Sequence, residues 1–304
     1  FAVTLERFTA SGNVLHGVLI NDQAEYFTDP ESTSPDGSAA GLVVRVTGSR
    51  FEANGFGLID QDGLRVNEGG EGSLDFEARG SSFSGNGADG VELDERAAGD
   101  AVFSIQQSEV LGNGTFDASD FDDGLDVDES GDGSIVGTVI QVTASDNAEE
   151  GLDLNENDAG DLRVEMTQVE ASRNGEEGVD LEEDDDFIGG GDLVVSLRNV
   201  TTRDNTGGDA GLKLRERGDG AILGRIVNPV STGNAGDGIQ LREQDGGLVG
   251  AEIVSAIASD NAANGVRLRG EGEVKLQSLT ADGNGDLPVA ADAGIVVTEV
   301  PALP

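Results

Sequence analysis

The chain has 304 residues, 60 Asp and Glu against 18 Lys and Arg, a formal net charge of -42 and no cysteine. That balance argues against nucleic acid and anionic lipid as partners, since both want a basic surface. Without cysteine there are neither disulfides nor thiolate metal sites, and no apolar run approaches the ~18 residues of a membrane span.

The first segment, FAVTLERF, alternates like a strand and can cap a coil or dock on a neighbour, so residues 1–40 read as an N-terminal capping region. Opening on Phe1 rather than Met, the chain reads as processed or trimmed, and an extracellular or cell-surface location is expected. A phrase of Gly, apolar, any, apolar then recurs at Gly17, Gly41, Gly63, Gly90, Gly124, Gly151, Gly178, Gly211, Gly238, Gly265 and Gly294. Half of the successive spacings are 27 residues. The two longest carry loop insertions, at 115–123 and 184–190. Periodicity of this kind means a solenoid. Within a unit, GLDLNE (151–156) alternates as a half-buried strand does, and after a Gly/Asp-rich turn LRVEMTQV (162–169) alternates again. No unit holds a ten-residue helical pattern. The expectation is an all-β, right-handed parallel β-helix of about ten coils. It forms one domain over 1–304, with 300–304 as a tail.

Asn13, Asn86, Asn147, Asn174, Asn234 and Asn261 each stand four residues before a repeat Gly. Asn suits a left-handed bend between strands, and stacked amides can bond from coil to coil. The phrase Asn-x-x-x-Gly-apolar-x-apolar resembles the parallel β-helix repeat of the pectin-lyase-like superfamily, over roughly residues 11–300. That resemblance implies the fold. It leaves function open among lyases, hydrolases, epimerases, phage tailspikes and adhesins.

With the repeat Gly as position 0, positions +1 and +3 face the core and +2 and +4 are expected to face solvent. Four consecutive coils then present Glu92, Asp94, Asp126, Asp128, Asp153, Asn155, Asp180 and Glu182. The next three present Lys213, Arg215, Gln240, Arg242, Arg267 and Arg269. Stacked like charges repel by roughly 1 kcal/mol per neighbour even in water, so the acidic coils need salt, divalent cations or a partner. Calcium is the expected cofactor, with Asp126, Asp128, Asp153, Asp180 and Glu182 as candidate ligands. Asp282, Asn284 and Asp286 of DGNGD have the oxygen spacing that starts an EF-hand-like loop, without its closing Glu. At +5 stand Glu68, Glu95, Glu129, Glu156, Glu183, Glu216, Glu243 and Glu299, read as caps on turn N–H groups or as a calcium ladder.

The single histidine, His16, lies outside any Gly-His-Gly context and reads as an exposed or capping residue. Asp180 or Glu182 beside Lys213 or Arg215 could imitate the acid–base pairing that the resemblance implies for calcium-dependent pectate lyases. The chain has no Trp and one Tyr to serve as sugar platforms. The first expectation is therefore a non-catalytic structural, adhesive or filament-forming protein, stabilised by calcium and self-associating end to end. The alternative is a calcium-dependent lyase, hydrolase or epimerase of acidic polysaccharide, with an extracellular polysaccharide as partner.

Overall fold

The computed structural model describes residues 1–23, 37–117, 121–184 and 190–300, the side chain of Val300 excepted. Parts of both insertions (118–120 and 185–189), part of the N-terminal region (24–36) and the tail from 301 lie outside the described residues. Among the described residues there are 28 strands and no helix, hence no helix able to cross a membrane. Every strand pairing is parallel, and the chain folds as the expected right-handed parallel β-helix.

Each coil has three sides. Two belong to an eighteen-stranded sheet, in which a six-residue strand such as Ile135–Ile140 bends into a three-residue strand such as Thr143–Ser145. In Leu162–Ser172 and Leu193–Arg203 the two run on without a break. The third side is a ten-stranded sheet containing Leu64–Glu68, Val91–Glu95, Leu125–Gly131, Leu152–Asp158, Val179–Asp184, Ala210–Arg217, Asp237–Gln244 and Val266–Arg269. The Gly-apolar-x-apolar phrase forms this side. Two of its occurrences do not belong there: Gly41 precedes Leu42–Thr47 and Gly294 opens Gly294–Val300, both strands of the larger sheet. Val18 pairs directly with Leu64, so the spacings around Gly41 are one long coil rather than two short ones. Glu299 accordingly leaves the +5 set and is exposed.

Register stacks like on like. Leu125, Leu152, Val179, Leu212 and Ile239 form one buried column, and Val127, Leu154, Leu181, Leu214 and Leu241 a second. Each such side chain contributes about 1.5–3 kcal/mol by leaving water. Phe51 and Phe83 stack with ring centroids 4.9 Å apart at the N-terminal end. The backbone is so close in the glycine turns that a Cβ on Gly160 would lie 1.6 Å from the Gly133 carbonyl oxygen.

The amide column is longer than the Asn-to-Gly spacing indicated. Asn13, Asn54, Asn86, Asn113, Asn147, Asn174, Asn205, Asn234 and Asn261 each donate Nδ2 to the next Oδ1 at 2.8–3.1 Å, and the column ends on Asn284, which donates to the Ala258 carbonyl. The left-handed residue is not the Asn but the one before it, as at Gly85, Asp146, Arg173 and Asp260. That bend turns the next side chain inward, where each Oδ1 also accepts a backbone N–H. Asn174→Ala strands the donors of Asn147 on a buried path, and a loss of about 1–3 kcal/mol in unfolding free energy is expected in a denaturant melt. An unchanged midpoint would show that the column does not hold the coils.

Candidate active and cation-binding face

The outward side chains of the ten-stranded sheet form three columns. Two are the +2 and +4 positions. The third stands at −1, where an acid directly precedes the repeat Gly: Asp62, Asp89, Asp123, Glu150, Glu177 and Asp237, with His16 as the first rung. The recurring Asp-Gly and Glu-Gly dipeptides were the signal for it. His16, Asp62, Asp89, Asp123, Glu177 and Asp237 each accept a backbone N–H from the next coil. Asp62 donates its N–H to His16 Nδ1 at 3.0 Å, and Asp89 donates to Asp62 Oδ1 at 3.1 Å. Asp123 donates to Asp89 Oδ1 at 2.5 Å and Glu150 to Asp123 Oδ1 at 2.6 Å. His16 is thus a capping residue, buried beside Asp62.

The +2 and +4 residues point away from the core, yet they are not the solvated face that strand parity suggests. Arg65 is 1 % exposed, Asp94 0 % and Asp180 3 %. The reason is mutual packing: the rungs cover one another, and Asp60, Arg96 and Asp184 close over them from the strand ends. In the middle coils Asp126, Asp128, Asp153 and Asn155 stay half-buried, so solvent reaches them.

Charge balance differs along the belt. At one end Arg65 serves four carboxylates, Glu92 at 2.6 Å, Asp60 at 2.7 Å, Asp94 at 3.1 Å and Asp62 at 3.8 Å. Burial opposes its charge, but these carboxylates outweigh burial and raise its pKa. At the other end Lys213 Nζ lies 2.7 Å from both Asp180 and Glu182, while Arg215 pairs with Glu182 and Asp184. Lys213 is likewise held protonated by Asp180 and Glu182 against the effect of burial. The expected pairing of Asp180 and Glu182 with Lys213 and Arg215 is therefore present, but as closed ion pairs, with no free amine to serve as a base.

Between these ends, Asp123, Asp126, Glu150 and Asp153 make no ion pair among the described residues. Oxygens of Asp123, Asp126 and Asp153 lie within 4.8 Å of one another, as do those of Asp123, Glu149 and Glu150, and those of Glu150, Glu177 and Asp180. Oδ1 of Asp126, of Asp153 and of Asp180 is buried without a hydrogen-bond partner. Two full charges at that separation repel by about 3 kcal/mol at an effective dielectric of 20. Burial first, and then the neighbouring carboxylates, hold Asp123, Asp126, Asp153 and Asp180 well above the ordinary carboxylate range. The belt therefore takes up either protons or cations. Its donors are all carboxylate oxygens, the set that calcium and magnesium take, so the residues fit a divalent ion.

Of the residues picked out from sequence, Asp126, Asp153 and Asp180 fall in these triads. Asp128 sits beside Asp94 in the next column, and Glu182 is engaged by Lys213 and Arg215. Asp282 and Asp286 are exposed and remote from the belt in sequence and strand order, and Asn284 is the last rung of the amide column. Asp62, Asp89, Glu149, Glu150 and Glu177 precede their glycines, outside the downstream alternation that marks the +2 and +4 positions.

The inner +5 column is the counterpart of the belt. Glu68, Glu95, Glu129, Glu156, Glu183, Glu216 and Glu243 are all buried. Five accept turn N–H groups as expected, among them Glu216 from Gly220 at 3.0 Å and Glu243 from Gly247 at 2.7 Å. Glu129 also lies within hydrogen-bonding reach of Glu95 and Glu156, a contact that requires a proton on one partner. Away from both columns, a cleft of about 810 Å³ follows the bend of the larger sheet past Ser49, Ser81, Ser108, Gln107 and Gln141. Its serine hydroxyls serve the backbone of the neighbouring coil, as where Ser49 donates its N–H to Ser81 Oγ and Ser81 to Ser108 Oγ. Arg50, Glu52 and Glu109 also line it, with Arg50 and Glu52 paired at 3.8 Å.

No protein-family profile and no curated protein matches the chain. Among solved structures it is similar to a double mutant of the periplasmic alginate epimerase AlgG, at 12% identity and a TM-score of 0.53, over 99% of this chain and 72% of that one. It is also similar to the A-module of the mannuronan C-5 epimerase AlgE4 of Azotobacter vinelandii, at 14% identity and a TM-score of 0.49, over 97% and 76% of the two chains. A third is ORF18 of Geobacillus virus E2, at 11% identity and a TM-score of 0.45, over 88% and 55%. At these identities the likeness is one of fold.

Proposed function

We propose that the ten-stranded sheet is the working face of a protein that acts on acidic polysaccharide with a divalent cation, calcium first, outside the cytoplasm. The observation that carries this reading is the middle of the belt, where half-buried carboxylates with unpartnered oxygens lie between two ends already neutralised by Arg65 and Lys213. A purely structural rod gains nothing from leaving that stretch uncompensated. The structural, adhesive or filament role weighed first from the sequence therefore gives way to the enzymatic alternative. The fold shared with an alginate epimerase supports the same substrate class.

In this reading Asp123, Asp126 and Asp153 hold the cation, with Glu149, Glu150, Glu177 and Asp180 around them. The ion would supply charge neutralisation, both of the belt and of a sugar-acid carboxylate brought against it. The chain's own contribution is positional. The −1 column fixes Asp123 through the Glu150 N–H, and Lys213 fixes Asp180 and Glu182. Lyase and epimerase chemistry both begin with loss of the proton beside the uronate carboxylate, and both are helped by neutralising that carboxylate.

The test is a panel of polyuronates incubated with calcium or with EDTA. Ultraviolet-absorbing unsaturated ends report a lyase, and uptake of deuterium from heavy water at the inverted carbon reports an epimerase. Activity should require calcium and fall at least about tenfold in Asp153→Asn. Calcium should also raise the melting temperature of the native chain and do so less in the variant. A panel without either product, together with a melting temperature indifferent to calcium, would sink the reading.

A further inference from the structure

Beyond Lys213 the same face reverses sign. Arg215, Arg242 and Arg269 occupy one position of three successive strands in register, so their backbones stack about 4.8 Å apart along the rod. They are not equally neutralised. Arg215 is closed by Glu182 and Asp184. Arg242 reaches a single carboxylate, the largely exposed Asp209, at 3.9 Å, and its Nε is buried with no hydrogen-bond partner. Arg269 makes no hydrogen bond or ion pair among the described residues. Its neighbour Arg267 differs, being bound to Asp292 at 3.0 Å.

In a chain of net charge -42, two successive arginines with a single distant carboxylate between them are not what charge balance produces. Burial, and after it the charges of Arg269 and Arg215, lower the pKa of Arg242. The arrangement costs the free rod stability and asks for an anion. Beside the guanidinium groups, Oε1 of Gln240 and Oε1 of Gln244 are also buried without partners. Those acceptors ask for hydroxyl donors, which a bare inorganic anion lacks and a sugar acid has.

We propose that Arg242 and Arg269, with Gln240 and Gln244 beside them, form a binding site for the carboxylate and hydroxyls of a sugar acid in an extended polysaccharide lying along the rod. The choice of a sugar acid over other anions rests on the function proposed above; the anion site itself rests on Arg269, which makes no ion pair among the described residues, and on Arg242, held only by the exposed Asp209 at 3.9 Å. A planar guanidinium binds a carboxylate by paired, charge-assisted hydrogen bonds. The chain would run from these arginines toward the acidic belt, where its further carboxylates meet the belt only through cations. One ligand would thus be gripped directly at one end and by way of metal at the other.

The experiment is calorimetric binding of polygalacturonate and alginate, and separately of heparin, all in EDTA so that cation-bridged contacts are absent. The native chain should bind a polyuronate, more weakly as salt rises. The double variant Arg242→Gln, Arg269→Gln should lose about tenfold or more in affinity. Its melting temperature should stay the same or rise, because mutual repulsion is relieved. Arg225→Gln, on the other sheet and paired with Glu252, should bind as the native chain does. Heparin bound through the same arginines, with no polyuronate bound, would keep the anion site and remove the sugar-acid assignment with the function it rests on. Undiminished binding in the double variant would overturn the proposal, as would absence of all binding or a fall in melting temperature showing that the arginines are structural. Sedimentation that shows native self-association abolished in the double variant would overturn it in favour of a second copy's acidic belt.

Discussion

Glu129→Gln is expected to make the rod more stable at neutral and alkaline pH and to flatten its decline as pH rises. Glu129 is buried inside the solenoid between Glu95 and Glu156, and accepts the Gly133 N–H at 3.2 Å. Three stacked, buried carboxylates with few turn amides in reach cannot all carry charge. Burial, followed by the contacts with Glu95 and Glu156, pushes Glu129 up to about 11. Burial also pushes Glu183 up to about 9, and Glu95 and Glu216 up to about 7. In each case the folded value lies above the ordinary 4.5. Below that value folded and unfolded chains are both protonated and the column costs nothing. Above it the unfolded chain releases protons that the folded chain keeps, so stability falls as pH rises toward the folded values. Each retained proton costs about 1.4 kcal/mol per pH unit. Gln keeps the shape of a protonated Glu and offers an N–H donor in place of its O–H, while removing the titration. Chemical denaturation from pH 5 to 9 in EDTA should show a shallower slope for the variant and a crossover that leaves it the more stable form at pH 8. Parallel slopes would mean that the column is not held protonated. The proposed calcium site lies on the outer belt, so a slope difference that persists in excess calcium would locate the effect inside.

Arg65→Ala should be the most damaging single change on the outer face. Its guanidinium is the built-in counterion of Asp60, Asp62, Glu92 and Asp94. Removing one partner of a buried ion network leaves the others uncompensated, at a cost of about 3–5 kcal/mol. The consequence is also specific. Oxygens of Asp60, Asp62 and Glu92 lie within 4.8 Å of one another, the geometry that the middle coils show without a cation. The variant should therefore gain a calcium response, its melting temperature rising more with calcium than that of the native chain and recovering part of the loss. Destabilisation that calcium leaves untouched would show that Arg65 acts by packing and not by charge.

Much of this molecule is legible along the chain because a solenoid turns sequence period into spatial neighbourhood. The 27-residue spacing of Gly151, Gly178 and their like puts Leu152 over Leu125 and Asp153 over Asp126, since parallel register carries each residue to its equivalent in the next coil. Parity along GLDLNE separated inward from outward, and the reversal from acidic to basic coils was countable. Where the period was interrupted, reading failed. Gly41 and Gly294 matched the phrase but sit on another side, because alternation is common to all three strands of a coil and does not say which is which. Asn54, Asn113 and Asn205 escaped because variable loops separate them from their glycines.

What tertiary structure alone decided is the state of the charges. Sequence set Asp126 and Arg65 outside the core and could go no further, since outward is not the same as solvated. Burial of the outward row comes from side chains of adjacent coils packing on one another and from turn residues folding over them. Whether a carboxylate is answered by Arg65 or Lys213, or by nothing, is a matter of a few ångströms between rungs. In low-dielectric surroundings those ångströms determine whether a rung holds a charge, a proton or a cation.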